Sequence, residues 1–190
     1  DQWLVFHNHF TVYSVLCQGL LTGMRPTHHG FIRSSDILHG VDVAVLEVDR
    51  SALPKSAVIR AFSPDHLQTA FDEVHPGESL LVVGFPLGFH DALHHLPVLR
   101  YAVVASPYGI RFQGQGYFLT DARTHRGTSG APVVTRATAA RAERLGDLPW
   151  LLLGVHSARL DVGTRDLKLD EALGLNCTWY ADILLTLTEH

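Results

Sequence analysis

The run Arg126-Gly127-Thr128-Ser129-Gly130-Ala131-Pro132 sets a serine beside glycines and leads into an apolar stretch. Such a loop can present a hydroxyl to a substrate. Gly127 lets the backbone turn without the steric cost of a Cβ. The backbone N–H groups of Gly127 and Ser129 can then point into one space and stabilise an oxyanion. The competing reading is a glycine-rich turn whose serine bonds only to its own backbone. A serine is a weak nucleophile until a base takes its proton, and the base needs an acid to fix its tautomer. Asp42 stands in Val41-Asp42-Val43-Ala44-Val45-Leu46, apolar on both sides. A carboxylate in such a run is expected to be buried and to need a partner, for which an imidazole is the natural choice. The alternative is a solvent-facing aspartate. His9 closes the run Trp3-Leu4-Val5-Phe6-His7-Asn8-His9 and suits a general base held at a cleft, with His7 as its rival.

These groups need elements that hold them. Short apolar runs alternate with Gly, Pro, Asp and His breaks, which is the pattern of an all-β chain. Strands are expected at Trp3–Phe6, Val41–Val48, Ala57–Ala61, Ser79–Gly84, Val98–Ala105, Gly116–Leu119, Ala131–Val134, Trp150–His156 and Leu175–Trp179. Their β-branched and aromatic content favours strand over helix. Ala137–Leu145 is rich in Ala and Arg and reads as an exposed helical turn or loop, and Tyr180–Leu187 as a short terminal helix. A polar stretch, Phe62–Glu78, separates two strand-rich halves, which predicts two packed barrels or sandwiches.

Composition narrows the classes. With 190 residues, 46% hydrophobic and 18% charged, the chain is not of disordered type. Runs such as Leu80–Val83 and Leu151–Leu153 are far shorter than the roughly 20 residues a membrane helix needs. Net charge is −4 with no basic stripe, which argues against nucleic acid as a main partner. The terminal Ile183-Leu184-Leu185 is too short and lacks the basic face of a membrane-surface helix, so it is expected to pack on the fold. Cys17 and Cys177 can form at most one bridge. Thirteen histidines raise the question of a metal. His7 and His9 would share one side of a strand, and His28-His29 and His94-His95 add more. None stands at a recognised ligand spacing, so histidines on polar loops are expected, with neither metal nor cofactor. The chain starts at Asp1 rather than Met, so a removed leader or a truncated N-terminus is expected. The compartment, cytoplasmic or secreted, and the oligomeric state are left open by the sequence.

The order His9…Asp42…Ser129 is the order of the chymotrypsin class. Further motifs follow the same order. Thr120–Gly130 resembles the nucleophile segment of the high-temperature-requirement proteases. Leu81–Gly88, followed by Val103-Val104-Ala105-Ser106, resembles a glycine–proline stretch of the same proteases. Asp42-Val43-Ala44-Val45-Leu46 resembles their acid strand, and Gly154-Val155-His156-Ser157 the strand that lines the specificity pocket. Leu175–Leu187 resembles the closing strand and terminal helix. On these residues the chain resembles a bacterial trypsin-like serine peptidase. The resemblance implies two packed six-stranded antiparallel β-barrels, the first over 1–66 and the second over 67–190 with the terminal helix. Only eight residues precede His9, so the first barrel is expected to be incomplete. The resemblance also implies hydrolysis of a peptide or protein substrate. Ser129 would attack, His9 would act as base and then acid, Asp42 would orient His9, and Ser157 would lie near Asp42. Thr124 and His156 resemble the positions at which glutamyl endopeptidases of the staphylococcal type hold an acidic side chain. With Ser157 they form the implied substrate-binding set, to which Arg123 could add positive charge. Ordinary strand packing of His156 is the competing reading, and Arg159 is expected to narrow access. The alternative function is an inactive double barrel that binds protein.

Overall fold

The computed structural model describes residues 42–43, 60–91, 93–94, 96–160 and 174–188. Among the described residues six strands carry the fold: β1 (Ser79–Gly84), β2 (Val98–Val104), β3 (Tyr117–Asp121), β4 (Pro132–Arg136), β5 (Trp150–Arg159) and β6 (Leu175–Tyr180). Two short α-helices accompany them among the described residues, α1 (Ala139–Leu145) between β4 and β5 and α2 (Ile183–Thr188) after β6. All neighbours are antiparallel, in the order β1-β2-β3-β6-β5-β4, and β4 closes back on β1 at Leu81↔Val134 and Val82↔Val133. Closure leaves no open sheet edge.

Alternation within the strands builds two apolar layers. On β1, Leu80 and Val82 point into the barrel with Val104, Phe118, Val133 and Leu153. Leu81 and Val83 point outward, where Val134, Leu152, Leu67, Ala181 and α2 residues Leu184 and Leu185 gather. Phe118 is fully buried, and the rings of Tyr108 and Tyr180 lie 4.9 Å and 5.2 Å from it. The Tyr108 hydroxyl donates to the Leu153 carbonyl at 3.1 Å, so the ring is wedged by its polar end as well. Gly154 has no room for a side chain: a Cβ there would overlap the Trp179 carbonyl oxygen and press on Thr178 and Phe118.

From Ser79 onward the expected strands are present, with shifted ends. Trp150–His156 extends to Arg159, because β6 offers partners for Ala158 and Arg159. The helix expected from Ala137 begins at Ala139, since the Ala137 N–H is drawn to the Pro149 carbonyl. The terminal helix begins at Ile183 rather than Tyr180, because Tyr180 still pairs as the last residue of β6. Arg60 and Ala61 lie outside any strand, while Trp3–Phe6, residues 57–59 and all of Val41–Val48 except Asp42 and Val43 lie outside the described residues. So does nearly all of the expected first barrel; the described residues form one closed barrel. Among the described residues no helix is long and apolar enough to cross a membrane.

Candidate active site

The loop between β3 and β4 holds Ser129 at an exposed apex. Two successive tight turns shape it, with the Thr128 N–H donating to the His125 carbonyl at 3.1 Å and the Ala131 N–H to the Thr128 carbonyl at 2.9 Å. Gly127 and Gly130 sit at φ of +86° and +85°, which L-residues with a Cβ rarely adopt. The loop is tied on both sides. The Leu87 N–H, from the turn at Pro86–Gly88, donates to the Arg126 carbonyl at 2.6 Å. On the other side the Gly130 N–H donates to the His156 carbonyl at 2.6 Å, and the His156 N–H to the Ala131 carbonyl at 2.8 Å. Among the described residues no backbone carbonyl accepts from the N–H of Gly127 or Ser129.

Strand β5 also reaches the acid. Its register shifts between His156 and Ala158, so Ser157 occupies a bulge. From there the buried Ser157 hydroxyl donates to Asp42 Oδ2 at 2.6 Å. Asp42 itself is exposed, not buried as its apolar flanks led one to expect. Ser157 makes up for that by serving as a protein donor to the carboxylate. His9 and His7 lie outside the described residues, as does Cys17. Cys177 is a free, half-buried thiol whose acidity is weakened by burial.

Thr124 and His156 belong to a buried polar layer at one end of the barrel. The register sets Thr120 opposite Asn176 and His156 opposite Thr178. Cross-strand partners share a face, and Asn176 and Thr178 share one by the two-residue period. The Thr120 and Thr178 hydroxyls meet at 3.2 Å. Asn176 is wholly buried and fully engaged. Its Nδ2 donates to the carbonyls of Ala122 and Gly174, both at 2.8 Å, and of Thr120 at 3.2 Å. Three acceptors around one atom fix the amide's orientation, so Oδ1 faces Thr124 and accepts its hydroxyl proton at 2.6 Å. His156 is only 2% exposed, and its Nδ1 has no hydrogen-bond partner among the described residues. Burial, with a smaller contribution from the charge of Arg159, pushes the imidazole down to about 4. It is therefore neutral at pH 7.

The sequence reading missed Asn176, Thr120 and Thr178. The signal was polar residues two apart in a strand, but which face they share depends on pairing with distant strands. Arg123 is exposed and gives its carbonyl to Arg100 at 2.6 Å, and Arg159 is exposed at the end of β5. Among the described residues no three His, Cys, Asp or Glu side chains gather as metal ligands. His94 instead pairs with Asp91 at 2.8 Å.

The described residues thus form a closed antiparallel barrel with Ser129 on an exposed loop between β3 and β4, and with the Asp42 carboxylate hydrogen-bonded to Ser157 of β5. Residues 17–140 match the family described as the trypsin-like peptidase domain, and the chain belongs to that family. The matched span contains Asp42 and Ser129; His9 precedes it. No curated protein matches the chain. Among solved structures, an HtrA-type protease with a tripeptide is similar at 19% identity and a TM-score of 0.45, the match covering 76% of this chain and 38% of that one.

Proposed function

We propose that the chain is a serine endopeptidase domain that cuts peptide bonds through an acyl-enzyme on Ser129. The observation that supports this most is the hydrogen bond from Ser157 to Asp42 on the strand that also pairs with the Ser129 loop. In this reading the Ser129 hydroxyl attacks the scissile carbonyl carbon while the His9 imidazole takes its proton. The imidazolium then protonates the leaving amine as the C–N bond breaks. Water, activated by the same imidazole, hydrolyses the ester and frees Ser129. Asp42 holds the other ring N–H of His9, and the N–H groups of Gly127 and Ser129 stabilise the oxyanion.

Labelling with a fluorophosphonate probe tests this. The expected result is labelling that Ser129→Ala and His9→Ala both abolish. Labelling that survives His9→Ala but needs His7 reassigns the base. Absence of labelling in folded protein overturns the catalytic reading in favour of a protein-binding barrel.

The finer reading concerns the side chain before the cleaved bond. Thr124 and His156 are both buried polar residues, and their positions in the sequence support a preference for a planar, hydrogen-bonding side chain. The residue pattern points to Glu or Asp. A peptide panel in which acidic side chains are cut no faster than leucine removes that preference.

A further inference from the structure

Strands β2 and β3 part early. Their register sets Val104 opposite Thr120 and Val103 opposite Asp121, and it goes no further toward the start of β2. Past Asp121 the chain leaves the sheet and becomes the serine loop. On its other side β2 stays paired with β1 as far as Val98, opposite Gly84. Beside Val98–Ala102, then, ladder bonds no longer hold the chain that follows β3.

Arg100 stands at that parting. It lies opposite Val82, which is fully buried, and precedes the buried Ala102 and Val104 by two and four residues. Cross-strand partners share a face, and so do residues two apart, so Arg100 continues the inward row of β2. A cation in such a row is costly unless its head reaches an acceptor. Arg100 is half-buried, and its Nη2 donates to the Arg123 carbonyl at 2.6 Å. Among the described residues no carboxylate pairs with it, so no ion pair draws the guanidinium elsewhere. The bond does for Arg123 what a ladder bond would do in a longer β3. Ahead of Gly127 the chain is thus tied from three elements. Asn176 of β6 holds the Ala122 carbonyl, Arg100 of β2 the Arg123 carbonyl, and the Leu87 N–H the Arg126 carbonyl. The tie from β2 is the one with a charged donor, and such bonds are the stronger kind.

We propose that Arg100 is a positioning residue: by holding the Arg123 carbonyl it sets the path of the serine loop as it leaves the barrel, and with it the aim of Ser129 and the Gly127 N–H. This rests on the reading of Ser129 as the nucleophile. The guanidinium acts through the loop, on groups that stabilise the transition state. Its loss therefore slows the chemical step more than it weakens peptide binding.

The test compares Arg100→Met, which keeps the stem and loses the donors, with Arg100→Lys, which keeps a charged donor. Arg100→Met is expected to lower both the fluorophosphonate labelling rate and kcat about tenfold, with KM held within about twofold. Arg100→Lys is expected to return both to within about threefold of wild type. A residue that serves packing alone would lower the Tm and show no gain from lysine over methionine. Should Arg100→Met fail to fold, Arg100→Ala is assayed in dilute guanidinium chloride against equal sodium chloride, and guanidinium alone is expected to raise the rate. Three outcomes overturn the proposal: Arg100→Met labelled as fast as wild type, Arg100→Lys as slow as Arg100→Met, or no guanidinium rescue of Arg100→Ala. If wild type itself is not labelled, the peptidase reading fails, and amide hydrogen exchange still decides the role of Arg100. Arg100→Met is then expected to speed exchange of the Thr128 and Gly130 N–H groups about tenfold, and unchanged exchange overturns the proposal.

Discussion

Gly127→Ala tests whether the peptide plane between Arg126 and Gly127 is held for catalysis. A trans peptide points its carbonyl and N–H in opposite directions. The Leu87 N–H grips the Arg126 carbonyl at 2.6 Å, so the same bond aims the Gly127 N–H the other way, toward the side where the oxyanion is proposed to form. An alanine Cβ at Gly127 would stand 2.7 Å from the Phe85 carbonyl oxygen and 3.3 Å from the Leu87 nitrogen. Keeping the native backbone would cost about 1–2 kcal/mol for φ of +86°. Pressing on fixed backbone atoms would add about 1–3 kcal/mol. Rotating the 126–127 peptide instead sacrifices one hydrogen bond, about 1 kcal/mol. Rotation is the cheaper route, so the chain should stay folded and lose the aim of one oxyanion donor. The loss of such a donor lowers kcat by about 10²–10³-fold. The assay is kcat/KM on a cleavable peptide together with fluorophosphonate labelling rate and thermal unfolding. A folded variant whose kcat/KM stays within about threefold of wild type refutes the reasoning.

Ser157→Ala removes the 2.6 Å donor to Asp42, and kcat should fall roughly tenfold with little change in KM; steady-state kinetics check it. Gly154→Ala forces a Cβ onto the Trp179 carbonyl in the middle of the β5–β6 pairing, so thermal or urea unfolding should show a loss of about 3 kcal/mol or more, or no folded protein. Phe118→Ala empties the centre of the barrel and should cost about 3–5 kcal/mol, read from the urea midpoint. The folded-state value of His156, about 4, lies below its ordinary value near 6.5. Between these values the unfolded chain binds more protons, so stability is full above pH 6.5 and declines as pH falls toward 4, by up to roughly 3 kcal/mol. The Tm of wild type should drop across that window more steeply than that of His156→Gln.

The second half of the fold was legible because its strands follow the two-residue period. Leu80 and Val82 against Leu81 and Val83 is a local pattern that needs no partner to be read. The element ends were less legible, because long-range pairing decides them: Ala137 is captured by Pro149, and Tyr180 by Gly154. The serine loop announced itself through Gly127 and Gly130, whose positive φ values explain why glycine stands at both places. Asn176 gave no such signal. Its importance comes from the register that sets it against Thr120 and within reach of Thr124, residues more than 50 positions away. The buried state of His156 was equally hidden, since the sequence does not say which face of β5 turns inward.

Consecutive residues on β5 carry different jobs because of that bulge. His156 exchanges backbone hydrogen bonds with the end of the serine loop and stands opposite Thr178 in the pairing with β6. Ser157, the extra residue, is released from the pairing pattern and sends its hydroxyl to Asp42. In a regular strand alternate residues would face opposite sides, but every ladder position would be paired and the direction of Ser157 fixed by the sheet. A bulge re-aims one side chain while the strand continues on both sides of it. The serine loop, the acid and the polar layer thus hang from two adjacent residues of one strand. A shift of β5 by a single residue would therefore misplace all three at once. The tight packing of Gly154 against Trp179, two residues upstream, guards against that slip.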